Sequence, residues 1–201
     1  MSKNIVLFSG GRGNKNLLNS LIYDLEKKNL DLSVIVNGLD DGASTGKIRY
    51  LFSKPTHGIS DFLKVILSLS SNNKIVDLFE KRFPSANSKI EQEKLMAKIQ
   101  SFLNEERLFI LEDSYQIDKD IENFIRACLS NLFNHFNARD NKEINFSDFK
   151  VGNIVFASQI IDRNFNFKSA ILEFSRIVGV NYSNVRIIQS TESPAYLCGI
   201  L

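Results

Sequence analysis

The chain is short of the features that mark several large protein classes. Only two of its 201 residues are cysteine, Cys128 and Cys198. They lie far apart and outside any zinc-type spacing, which argues against a disulfide framework and fits reduced thiols in a cytoplasmic protein. Long apolar runs are missing too. The opening stretch, Met1 to Phe8, is too short for a signal peptide, and nothing approaches the ~20 apolar residues of a membrane span. A membrane partner is therefore not expected. No basic block stands out, and the net charge is only +2, so the concentrated cationic face of a nucleic-acid binder is not expected either. There is no internal repeat and no low-complexity linker. What remains is ordinary globular composition, 43% hydrophobic and 24% charged, in a length that suits one domain with a full core.

The pattern along the chain alternates. Asn4 to Ser9 reads as a buried strand broken by Gly10-Gly11-Arg12-Gly13-Asn14. Leu17, Leu18, Leu21, Ile22 and Leu25 follow at helical spacing, and Leu32 to Val36 is the next apolar run. Strand, glycine loop, helix and strand in this order form a βαβ unit. Helical spacing then covers Ser60–Leu69, capped by Ser60 or Asp61, and Lys74–Phe83, which ends near Pro84. It continues over Ser88–Leu103 and Asp118–Phe136. Leu108–Leu111 suggests a short strand and Ala138–Asp148 a loop. Gly152 opens a helix over Asn153–Ile161, another spans Phe167–Val178, and Val185–Ile188 returns to strand pattern. The expected class is α/β, a parallel sheet with helices on both faces and a helical insertion around residues 74–137. The sixteen phenylalanines are expected mostly in the core.

Chemistry concentrates after the second strand, in Gly38-Leu39-Asp40-Asp41-Gly42-Ala43-Ser44-Thr45-Gly46-Lys47-Ile48-Arg49. Acids there can hold a divalent cation, glycines let backbone amides approach an anion, and bases neutralise phosphate. The alternative is a solvated Asx turn feeding a helix, with Lys47 and Arg49 facing water. The segment is not a P-loop, because three residues separate its glycines where four are needed. Gly10 to Asn14 is either a tight βα turn or a phosphate loop at a helix N-terminus. Its Gly11-x-Gly13 spacing is only part of the dinucleotide fingerprint, since Asn16 stands where the third glycine belongs. Thr56 to Asp61 is a further small polar loop entering a helix. Gly152-Asn153 is either a simple cap or another helix end facing the same ligand. His57 and His135 are the only histidines. His57 draws interest through its loop, whereas His135 reads as a surface or packed residue.

Together these pieces resemble the 2-phospho-L-lactate transferase family, also called CofD-like, in its bacterial branch. The resemblance rests on Ser9–Gly13, Asn37–Arg49, Gly58–Phe62 and Gly152–Ala157. Gln189–Pro194 looks like the family's late strand-and-loop segment. The resemblance implies a Rossmann-like sheet and a nucleotide diphosphate-linked ligand across the strand carboxyl ends. In the transferase branch a phospholactyl-type group passes from such a donor to an alcohol, with Mg2+.

Carried over, Gly10, Gly11, Arg12, Gly13 and Asn14 would hold phosphate. Asp40 or Asp41 would orient the attacking hydroxyl, and Asp41 would bind the metal. Ser44, Thr45, Lys47 and Arg49 would meet the donor phosphates, with Ser60, Asp61, Gly152 and Asn153 completing the site. Arg12 departs from the small residue common in that loop, and the family is usually longer. A sister branch with similar motifs binds nucleotide sugars as a regulator of cell-wall and carbon metabolism. The apolar end, Tyr196 to Leu201, needs cover, which a longer chain or a homodimer would supply.

Overall fold

The computed structural model describes residues 3–10, 13–28, 30–39, 43–52, 56–104, 107–111, 117–137, 145–180 and 183–192. The elements run β1 (Lys3–Ser9), α1 (Lys15–Lys28), β2 (Leu30–Val36), α2 (Ala43–Leu51), α3 (Ile59–Ser68) and α4 (Asn73–Glu80). They continue as α5 (Lys89–Leu103), α6 (Lys119–Asn137), α7 (Val151–Asp162), α8 (Phe167–Ile177) and β3 (Val185–Gln189). The α/β class and the parallel sheet match expectation, with the strands in the order β1-β2-β3 among the described residues.

β2 is central. Ile5 pairs with Leu32, Leu7 with Val34 and Ser9 with Val36, while Leu32 also pairs with Val185 and Val34 with Ile187. These residues share one sheet face, which is buried or nearly so. Asn4, Val6, Phe8, Arg186 and Ile188 share the other face, which is exposed. The uneven covering follows from the winding. Both crossovers advance in the same direction, and right-handed connections then lay their helices over one face. Asn184 fixes the foot of the sheet: its amide donates to the carbonyls of Leu25 and Leu30, while its own carbonyl takes the Leu32 N–H.

α7 is the core helix, buried without interruption from Val151 to Ile160. It packs on α3, α4, α6 and α8. The helix starts are locally encoded. Ser88 and Glu91 form a capping box on α5, and the Asn72 and Asn166 side chains cap α4 and α8. Phe62, Phe79, Phe83, Phe102, Phe146, Phe149, Phe156 and Phe174 are fully buried, as expected of the phenylalanines. His135 packs within an aromatic group of Phe52, Phe136 and Phe165.

Three local expectations change. Leu108–Leu111 is a turn, closed by Leu111 N–H to the Leu108 carbonyl. The Leu108 N–H donates to Glu122 Oε1 at 2.6 Å instead of joining a strand, and both leucines plug into the core. α3 is not capped by Ser60 or Asp61 but begins after Gly58, which makes no side-chain cap. α4 also stops before Phe83: Arg82 leaves the helix to bridge Lys150 as an isolated β-pair.

Candidate functional site

The three strands end at the same edge of the sheet, and their exit loops are tied together. Asn37 N–H donates to the Ser9 carbonyl at 2.9 Å, and Ser190 N–H to the Val36 carbonyl at 3.0 Å. Gly38 N–H reaches Ser190 Oγ at 3.3 Å, and Gly58 N–H returns to the Gly38 carbonyl at 2.8 Å. The loop entering α3 is thus fastened to the exit of β2, which in turn is fastened to the exit of β3. At β1, Asn14 Nδ2 donates to the Phe8 carbonyl at 2.8 Å and closes the glycine turn ahead of α1. Ligands of open α/β sheets gather at this edge.

His57 sits beneath these loops. It is almost completely buried, its ring lies 4.9 Å from that of Phe167, and it hydrogen-bonds the backbone of Glu192. Its Nδ1 has no hydrogen-bond partner among the described residues and faces Gly38 so closely that a β-carbon there would lie 2.7 Å away. Burial pulls its pKa below the ordinary value, the Glu192 contact opposes that shift, and the Arg49 charge adds to it. The balance favours the neutral imidazole.

The expected site residues divide into groups. Thr45, in the first turn of α2, and Ser60, in the first turn of α3, bring their hydroxyls into hydrogen-bond contact. Gly10 lies against Asn37, and a β-carbon built on Gly13 would meet nothing within 4 Å. Arg49 is buried on α2 beside His57. Asn153 is buried in the first turn of α7, a helix in contact with α2. Lys47 points elsewhere: its Nζ donates to the Ser147 carbonyl at 3.1 Å and lies over the Phe149 ring. Asp61 is held by Lys64 at 2.7 Å. Gly152 has a packing reason for lacking a side chain, since a β-carbon there would come 2.8 Å from Leu63 Cδ1 and 3.0 Å from the Phe79 carbonyl. Gly11, Arg12, Asp40 and Asp41 lie outside the described residues, and Ser44 is described in its backbone alone.

Motif reading missed a cavity of about 170 Å³ next to the glycine turn, bordered by Ser9, Asn14, Lys15, Lys64, Glu80 and Lys150. Two of its lysines are paired, Lys64 with Asp61 and Lys150 with Glu80. The available signals were Lys64 three residues after Asp61 and Lys150 just before Gly152. No group of three or more His, Cys, Asp or Glu side chains able to hold a metal exists among the described residues. Among them, no helix is long and apolar enough to cross a membrane.

Comparison with known proteins places this geometry. The model of a family described as 2-phospho-L-lactate transferase CofD matches residues 5–201. A protein named gluconeogenesis factor from Bacillus subtilis is 37% identical over 84 residues, 41% of this chain and 25% of that protein. One of the same name from Listeria monocytogenes is 39% identical over 80 residues, 39% of this chain and 23% of that protein. The crystal structure of a upf0052 family member from Bacillus halodurans superposes with a TM-score of 0.55 at 18% identity. That match covers 96% of this chain and 41% of the other, and it establishes a shared fold. The matched stretch thus spans about a quarter of the named relatives.

Proposed function

The chain belongs to the 2-phospho-L-lactate transferase CofD family, and from that premise we propose a ligand and a reaction. The ligand is a nucleotide diphosphate-linked small molecule lying across the carboxyl ends of β1, β2 and β3. The reaction transfers a phosphate-linked, 2-phospholactyl-type group from it to an alcohol. The observation that supports this best is the fastening of the three strand-end loops around Gly38, with the Thr45 and Ser60 hydroxyls meeting where two helices begin. Helix starts aimed at one edge favour an anion there.

The acceptor oxygen forms the new P–O bond, the anhydride bond breaks, and nucleoside monophosphate leaves. The acceptor's proton passes to the carboxylate of Asp40 or Asp41. The turn from Gly10 to Asn14 holds phosphate at the start of α1. Thr45 and Arg49 meet the donor phosphates from α2, Ser44 is assigned to them by its place in the motif, and Lys47 joins them only by giving up Ser147. Asp61 is committed to Lys64, and the metal's protein ligand is Asp41, as its place in the motif assigns it. One or two carboxylates together with ligand phosphates are what Mg2+ usually takes. Bound there, it would neutralise charge on the diphosphate.

A second reading is favoured by the name gluconeogenesis factor carried by the relatives. In it the same edge binds a nucleotide sugar and reports it without turnover. A thermal-shift panel of guanosine, uridine and adenosine diphosphates, with and without Mg2+, tests both, because a ligand of the folded state raises the melting temperature. A guanosine-selective, Mg2+-dependent rise with release of mononucleotide supports transfer. A uridine-selective rise without release supports the sensor, and no rise with any nucleotide refutes both.

A further inference from the structure

Lys15 stands where helix stability does not call for it. It opens α1, and a cation in a first turn opposes the helix dipole. Among the described residues it makes no ion pair. It borders the cavity of about 170 Å³ on the covered face of the sheet, where α1, α3 and α4 meet the end of β1. The other two lysines there are already neutralised, Lys64 by Asp61 and Lys150 by Glu80. One positive charge is left over. An uncommitted hydroxyl lies in the same cavity. Ser9 is only 5% exposed, yet its Oγ has no hydrogen-bond partner among the described residues. Buried polar groups normally find one, because leaving them unpaired is costly. The rest of the lining is apolar, with Leu18 and Val65 buried and Val76 half-buried.

These features describe a ligand. One surplus charge matches a carboxylate rather than a phosphate dianion. The apolar lining suits a short carbon body. A cavity of about 150 Å³ holds benzene, so this one takes roughly six non-hydrogen atoms, too few for a nucleoside. We propose that the cavity binds the acid end of the transferred group, a short aliphatic carboxylate. Its oxygens meet Lys15 Nζ and the Ser9 hydroxyl, and its carbons lie against Leu18, Val65 and Val76. This assignment rests on the transfer reading of the strand edge, and it says which end of that ligand goes where. In a 2-phospholactyl donor only the lactyl end has both a carboxylate and a methyl group. Its phosphate stays at the glycine turn, which the cavity adjoins through Ser9 and Asn14.

Titration calorimetry with 2-phospho-L-lactate and with ethyl phosphate, which lacks only the carboxylate, tests the pocket. Guanosine and uridine diphosphates with Mg2+, which have no acid end, test the strand edge separately. The parent chain should bind 2-phospholactate at least about tenfold more tightly than ethyl phosphate, through charge-assisted hydrogen bonds. Lys15→Met should remove that preference, and Lys15→Arg, which keeps the charge, should retain most of it. Lys15 is exposed, so both variants should fold, which far-UV circular dichroism and the melting temperature check. Equal binding of the two esters by the parent, or a preference that survives Lys15→Met, overturns the proposal. If Lys15→Met weakens a nucleoside diphosphate as much as 2-phospholactate, Lys15 is a phosphate contact and the proposal falls as well. A parent that binds a nucleoside diphosphate but neither ester overturns the pocket and leaves the edge reading standing. A preference for 2-phospholactate without any nucleotide binding supports the pocket and overturns the nucleotide-linked donor instead. No binding of any probe overturns both.

Discussion

Gly38→Ala probes the strand-end geometry directly. A β-carbon at Gly38 would lie 2.7 Å from Nδ1 and 3.3 Å from Cγ of His57, so something must shift. The ring has little room to yield, since it is buried against Phe167 and bonded to the backbone of Glu192. The Gly38 backbone is fastened on both sides, to Ser190 Oγ and to Gly58. Overpacking a tight site by one methyl costs about 1–3 kcal/mol. Alanine returns about 0.4–1 kcal/mol by stiffening the unfolded chain. The net loss is about 1–2 kcal/mol, or roughly 2–8 °C in melting temperature for a chain of this size.

Denaturant unfolding of Gly38→Ala, His57→Ala and the double variant isolates the contact, because the unfolded-state contribution cancels around the cycle. With the imidazole gone the methyl has space, so the double variant should be more stable than additivity predicts by about 1 kcal/mol or more. Gly13→Ala is the control. Nothing lies within 4 Å of its β-carbon, so it should be neutral or stabilising by up to about 1 kcal/mol. A fully stable Gly38→Ala, or simple additivity, would refute the packing of His57 against the exit of β2.

Gly152→Ala should destabilise by about 1–3 kcal/mol, because the Phe79 carbonyl it would meet at 3.0 Å is backbone and cannot rotate away. Thermal unfolding that matches the parent would show that α7 is free to shift. His57 should make stability fall with acid. Its folded pKa lies below its unfolded value near 6.5, so the unfolded state takes the proton first and stability declines as pH drops below about 6.5. The decline should be shallower in His57→Gln, and identical pH profiles for the two chains would exclude the residue. The Cys128 thiol is pushed up to about 11 by burial. In a Cys198→Ser chain it should resist alkylation at pH 8 until the protein unfolds, and prompt labelling of the native chain contradicts this. Asp41→Ala should weaken Mg2+-dependent nucleotide binding about tenfold or more while the melting temperature without ligand holds. Titration calorimetry giving the parent's affinity would remove Asp41 from the site.

Much of the fold is readable because its signals are local. Ile5 to Phe8 and Leu32 to Val36 are apolar runs between turn residues, and both are strands. Ser88 followed three residues later by Glu91 announces the start of α5, and the structure closes that capping box. The edge proposed to bind a ligand is marked in the sequence by a glycine-rich segment and an acid- and hydroxyl-rich segment, each following a strand. Leu108–Leu111 misleads because a short apolar run has no periodicity of its own. Whether it becomes a strand depends on a partner for its amides, and Glu122, fourteen positions from Leu108, claims the first of them.

Side-chain direction is the part that no motif contains. Lys47 and Arg49 are two residues apart on α2, so they leave the helix about 200° apart. One lies over Phe149 and the other is buried beside His57, though the motif shows them as an equivalent basic pair. Gly152 looks like part of a ligand-facing helix start, yet what forbids a side chain there is Leu63 and Phe79, brought from two other helices. The exposed sheet face follows the same logic at larger scale. Phe8 alternates correctly for a strand, and its sequence neighbours cannot tell which face the crossovers will cover. That is decided by β2 lying between β1 and β3: two right-handed crossovers in one direction cover the Leu7 side and leave the Phe8 side bare.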